Sequence, residues 1–77
     1  MDGEPVILPN AHRHGVSEDD MLHALRNEHH HVVQDDGMVM FIGSDTAGQL
    51  IEVGLVEWYG VIAIAHVYRP ARAKYLR

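Results

Sequence analysis

The sequence predicts one α+β domain of 77 residues: a small four-stranded antiparallel sheet packed by an N-terminal helix and a short C-terminal helix. Three observations carry that prediction. Met21, Leu22 and Leu25 repeat at helical spacing; four later segments run apolar or alternate with a period of two; and the connections between those segments are short, which suits antiparallel neighbours.

Each element follows in order. Residues 1–10 hold Pro5 and Pro9 around Val6-Ile7-Leu8 and read as a loose N-terminal arm or a short edge strand. Ser17 is the expected N-cap, with Asp20 three residues on in the capping-box position. Glu18, Asp19 and Asp20 crowd the positive end of the helix dipole, and the helix is expected over 18–28. The period then shortens. Strands are expected over 31–35 and 38–43, joined by Asp36-Gly37 as a type I′ hairpin signal. After the longer turn Ser44 to Gly48 come strands over 50–57 and 61–68, separated by a tight turn at Trp58-Tyr59-Gly60. Pro70 cannot continue a central strand but suits a first helical position, so a short helix is expected over 71–76.

The last two strands are apolar on both sides, with Val53 and Leu55 on one and Leu50 and Val56 on the other. One helix cannot cover both faces of four strands. The face left open is expected to meet a protein partner or a second copy.

Composition bounds the function. The chain has no cysteine, which excludes disulfides and thiolate metal sites. At 47% hydrophobic it has enough apolar residues for a core. The start, Met1-Asp-Gly-Glu-Pro, lacks the positive region of a signal peptide, and the longest apolar stretch is too short to span a bilayer. A cytoplasmic protein with no membrane association is expected.

Charge is distributed unevenly. All eleven acidic residues, but only Arg13 and Arg26, lie in the first 68 positions, giving 2 − 11 = −9. Arg69, Arg72, Lys74 and Arg77 give the tail +4, and the sum is the net −5. A cationic tail on an acidic body attracts anions locally.

His66 stands three residues before Arg69 and six before Arg72. A histidine near neutrality can move a proton, and arginine grips phosphate in a bidentate fork. Together they meet the needs of RNA cleavage, so His66, Arg69 and Arg72 are the candidate catalytic residues. The plainer alternative is a half-buried strand histidine beside a solvated helix. Tyr68 and Tyr75 flank the same patch and could stack on bases or pack the tail on the sheet. With Lys74, Arg77 and His14 they form the candidate RNA-binding set. Trp58-Tyr59 in a turn suits either a partner surface or folding back over the core. Seven histidines invite a metal site, but none forms a helical i, i+4 pair, and no metal or other cofactor is expected. No phosphate-binding loop and no Ser-His-Asp arrangement can be read.

Several of these segments together resemble the BrnT-like toxins. His14-Gly15-Val16-Ser17-Glu18 ahead of a helix is similar to that family's "HGVSFEEA" signature. Phe41-Ile42-Gly43-Ser44 followed by Gly48-Gln49-Leu50-Ile51-Glu52-Val53 resembles its central hairpin. Ile64-Ala65-His66-Val67-Tyr68-Arg69-Pro70-Ala71-Arg72-Ala73-Lys74-Tyr75 resembles its last strand and Ala-Arg-rich C-terminal helix. The resemblance spans roughly residues 12–76. It implies a RelE-like fold, a metal-independent endoribonuclease of a type II toxin–antitoxin pair, and a cognate antitoxin as partner. Arg69 and Arg72 would lie at the active site, with Lys74 and Tyr75 nearby. The shortened first strand and the net acidity depart from the family. The alternative is a non-catalytic interaction module of the same fold.

Overall fold

The computed structural model describes residues 4–76. It is an α+β domain with one α-helix and a mixed sheet of five strands in the order β1-β5-β4-β3-β2. The strands are β1 (Val6–Ile7), β2 (Glu28–Val33), β3 (Val39–Ser44), β4 (Leu50–Trp58) and β5 (Val61–Tyr68), and the helix is α1 (Glu18–Arg26). The four-stranded antiparallel expectation is corrected at one edge. Val6-Ile7 lies parallel to β5, paired with Ala63 and Ile64, and Leu8 N–H continues the ladder to the Ile64 carbonyl at 2.9 Å.

Ser17 caps α1 by accepting the Asp20 amide at 3.1 Å. The helix ends earlier than the sequence suggests, because Asn27 is already out of helical geometry and the chain enters β2 directly at Glu28. Asn27 closes the end by donating its side-chain amide to the His23 carbonyl.

The hairpin turns differ from expectation in an instructive way. Gln34 pairs with Met38 around a three-residue loop, in which Gly37 alone has positive φ. That is a type I turn closed by a left-handed glycine, not type I′. The Asp36 carboxylate accepts the Met38 amide and holds this geometry. The type I′ turn is instead at Tyr59-Gly60, where both residues have positive φ and Trp58 pairs with Val61.

The core divides across the sheet. On one face α1 buries Met21 and Ala24 against Ile51, Val53, Ile64 and Val67. On the other, Ala71 and Tyr75 cover Met40 and Ile42. The face that the strand pattern leaves open is thus partly closed by the chain's own tail, without a second helix. The expected helix over 71–76 is only the 3-10 turn Ala73–Tyr75. Ala71 N–H donates to the Leu50 carbonyl and Arg72 stays extended, with φ −73° and ψ 149°. Pairing with β4 and the Glu52 carboxylate outcompetes helix formation. No helix among the described residues is long and apolar enough to cross a membrane.

Candidate active site

A single carboxylate organises the tail. Glu52 sits mid-β4, on the face away from α1, and is fully buried. A buried carboxylate requires compensation by charge and hydrogen bonds, and Arg72 supplies most of it. Its backbone amide donates to Oε1 at 2.9 Å, its Nε to both oxygens, and its Nη2 to Oε2 at 2.6 Å. The guanidinium carbon lies 5.3 Å from the Tyr68 ring centre and 5.6 Å from that of Tyr75. Burial pushes the Glu52 pKa up, but the Arg72 hydrogen bonds, and then that of His66, outweigh it and leave the carboxyl below its ordinary value. Arg72 is shifted up in return, chiefly by its hydrogen bond to Glu52. Both are charged at neutral pH.

Ionised Glu52 can only accept, which settles the tautomer of its third partner. His66, two strand residues from Tyr68 and paired with Gly54, donates Nε2–H to Glu52 Oε2 at 2.8 Å. When neutral, His66 therefore carries its lone pair on Nδ1. That nitrogen has no partner among the described residues and is not one of the buried unpaired atoms. Gly54 makes room beside it: a Cβ there would meet Met38 Sδ at 2.4 Å and His66 Cβ at 3.2 Å.

His14 joins this group from the far end of the sequence. Pairing of β1 with β5 and the 3-10 turn Pro9–His12 carry the chain back along β5, where the Asn10 side chain reaches the Ala65 carbonyl. The His14 ring then stands 4.8 Å from Tyr68, edge to face, and 6.5 Å from His66. Of the candidate residues, the structure gathers His66, His14, Tyr68 and Arg72 on one patch. Lys74 is at its margin, 5.0 Å over the Tyr75 ring. Tyr75 is buried, and its hydroxyl accepts from Gln34. Arg77 lies outside the described residues.

Arg69 is drawn elsewhere. It bridges Asp20 at 2.7 Å and Asp45 at 3.0 Å, tying the helix start and the β3–β4 turn to the tail. Hydrogen bonds from the Thr46 hydroxyl and amide, ahead of Arg69, hold the Asp20 carboxyl well below the usual carboxylate range. Among the described residues, two of the three tail cations, Arg69 and Arg72, are therefore neutralised by acids of the body. Glu52 was missed in the sequence. The available signal was one carboxylate inside an apolar strand, Leu50-Ile51-Glu52-Val53, a residue type that is almost never buried unless paired.

The remaining histidines are dispersed. His12 pairs with Glu18, His31 with Glu28, His23 with the Ser44 carbonyl, His29 with the Ser44 hydroxyl, and His30 with the Tyr75 carbonyl. Among the described residues, no three His, Asp or Glu side chains converge where a metal ion could sit. A groove of about 830 Å³ lies on the opposite face of the sheet. It is lined by Val6, Leu22, Leu25, Phe41, Leu55 and Ile62 among others, and holds none of the candidate residues. No family model matches this chain, and no curated protein and no solved structure shows significant similarity to it.

Proposed function

We propose that the chain is a metal-independent endoribonuclease, of the kind that serves as the toxin of a type II toxin–antitoxin pair. The observation that supports it is His66, oriented through Nε2 by an ionised buried carboxylate and left with Nδ1 open. In the proposed step, Nδ1 takes the proton of a ribose 2′-OH, the 2′-oxygen bonds to the adjacent phosphorus, and the bond to the 5′-oxygen breaks. The products are a 2′,3′-cyclic phosphate and a 5′-hydroxyl. Arg72 keeps Nη1 free of Glu52 among the described residues, and so sets positive charge beside the anionic phosphorane. Arg69 holds the tail in place.

The folded chain is expected to cleave single-stranded RNA in the presence of a chelator and to leave cyclic phosphate ends. His66→Ala should slow cleavage by at least ~100-fold, the usual worth of a positioned general base. Intact RNA after incubation with folded protein, or equal rates for the variant, would overturn this reading.

A second reading, the interaction module, is favoured by the open apolar groove between α1 and the β4–β5 hairpin. Glu4 and Arg26 stand along it and Glu57 along the adjoining depression, a rim with one acid in excess, so an apolar helix with basic flanks would suit it, as a cognate antitoxin could present. A Leu/Lys amphipathic peptide is expected to saturate the fluorescence of Trp58, which lies at the hairpin end, and Ile62→Asp should abolish that saturation. A linear, unsaturable response in the parent chain would dispose of this reading.

A further inference from the structure

The cleavage step needs a second proton transfer that His66 alone does not supply. Once the 2′-oxygen attacks, the departing 5′-oxygen is a strongly basic alkoxide and must be protonated as its bond to phosphorus breaks. The patch offers few groups for this. Arg72 is shifted toward tighter proton binding by Glu52 and cannot serve as an acid. Glu52 is ionised and buried beneath Arg72. Imidazole is the side chain whose unperturbed protonation lies nearest neutrality, and a second imidazole is present.

We infer that His14 is the general acid, donating its proton to the 5′-oxygen of the leaving nucleoside. This rests on the RNA-cleavage reading and deepens it. The His14 and His66 rings are 6.5 Å apart with planes at 74°. Two imidazoles at that separation can each place a ring nitrogen at about 3 Å from a different oxygen of one phosphodiester. His66 takes a proton from the 2′-oxygen and His14 gives one to the 5′-oxygen, so the charge on the two rings exchanges and no outside proton donor is consumed. His14 is exposed and makes no hydrogen bond among the described residues, so nothing in the protein competes for its proton. It is held by ring contact alone, edge to face on Tyr68. Gly15, with φ +75°, turns the chain immediately after it toward Val16, which is buried in the core. The N-terminal segment thus delivers one catalytic group and β5 the other.

The roles can be separated by the leaving group. A diribonucleotide releases an alkoxide that requires an acid, whereas uridine 3′-(4-nitrophenyl phosphate) releases a nitrophenolate that does not. His14→Ala is expected to lose ~100-fold or more on the diribonucleotide, the range of a general acid, and to retain most of its rate on the aryl ester. His66→Ala should lose rate on both substrates, since 2′-OH activation is common to them. His14→Gln, which keeps a polar side chain but no titratable proton, should behave as His14→Ala. Equal losses on the two substrates, or no loss, would overturn the assignment to His14 while leaving the RNase reading intact. A parent chain inactive on both substrates and on RNA would end both.

Discussion

Replacing Glu52 with Ala is expected to lower the thermal midpoint by ~10–20 °C and to abolish the proposed RNA cleavage together. The carboxylate accepts from the Arg72 amide, the Arg72 guanidinium and His66, and all three lose their acceptor at once. Breaking a fully enclosed ion pair costs roughly 3–5 kcal/mol. The Arg72 side chain is 43% exposed and can turn to water, so the cost here is nearer ~2–3 kcal/mol. A domain of this size loses about 4–8 °C per kcal/mol. Freed from Glu52, the tail also loses the contact that keeps Arg72 extended, so Ala71 and Tyr75 separate from Met40 and Ile42 and the second core face opens.

The pH dependence follows from the sign of the shift. The folded carboxyl of Glu52 lies below its ordinary value of 4.5, so between the two values the unfolded chain binds more protons. Its contribution is complete above about 4.5 and is lost as pH falls through the lower folded value. Asp20 is shifted the same way and adds a second part to this acid limb. Denaturant melts of Glu52→Gln between pH 3 and 7 should show a shallower limb than the parent, with the Asp20 part retained. An unchanged limb would mean that Glu52 is not held ionised by Arg72.

Gly43→Ala is expected to be at least as damaging, for a purely steric reason. A Cβ at Gly43 would sit 2.0 Å from the Ala24 carbonyl oxygen, 2.8 Å from its carbon and 3.0 Å from the Asn27 oxygen. These are backbone atoms of the last turn of α1, so no side-chain rotation relieves the clash. The helix must lift off the sheet, which separates Met21 and Ala24 from Ile51 and Val53. Overpacking of this kind costs about 3 kcal/mol or more. Gly37→Ala is the informative contrast. Gly37 has φ +89° but open space around it, and a left-handed alanine costs only about 1–2 kcal/mol. Chemical denaturation of both variants should rank Gly43→Ala well below Gly37→Ala, and the reverse order would refute the close approach of α1 to β3.

The amino-acid sequence by itself determined the features that arise within a few residues. Ser17 caps the helix because its hydroxyl and the Asp20 amide are three residues apart. The strand over 61–68 coincides with β5, since its apolar run is bounded by Gly60 and Pro70. The α+β class follows from the change of period after α1. Turn chemistry was less clear from the same signals: Asp36-Gly37 reads as type I′, yet Asp36 instead spends its carboxylate on the Met38 amide.

Tertiary structure decided where the tail charges go. Arg69 meets Asp20 across 49 residues and Arg72 meets Glu52 across 20, separations at which no local pattern specifies a partner. In the cationic tail that the sequence presents as a free patch, Arg69 and Arg72 are neutralised by the acidic body. Folding also brought His14 to within 6.5 Å of His66, through a parallel edge pairing of β1 with β5 that a two-residue strand flanked by prolines scarcely announces. The physical reason is common to both. A buried carboxylate recruits whatever cation the chain can deliver, and a sheet edge recruits whatever extended segment reaches it. Neither choice is made until the strands have assembled.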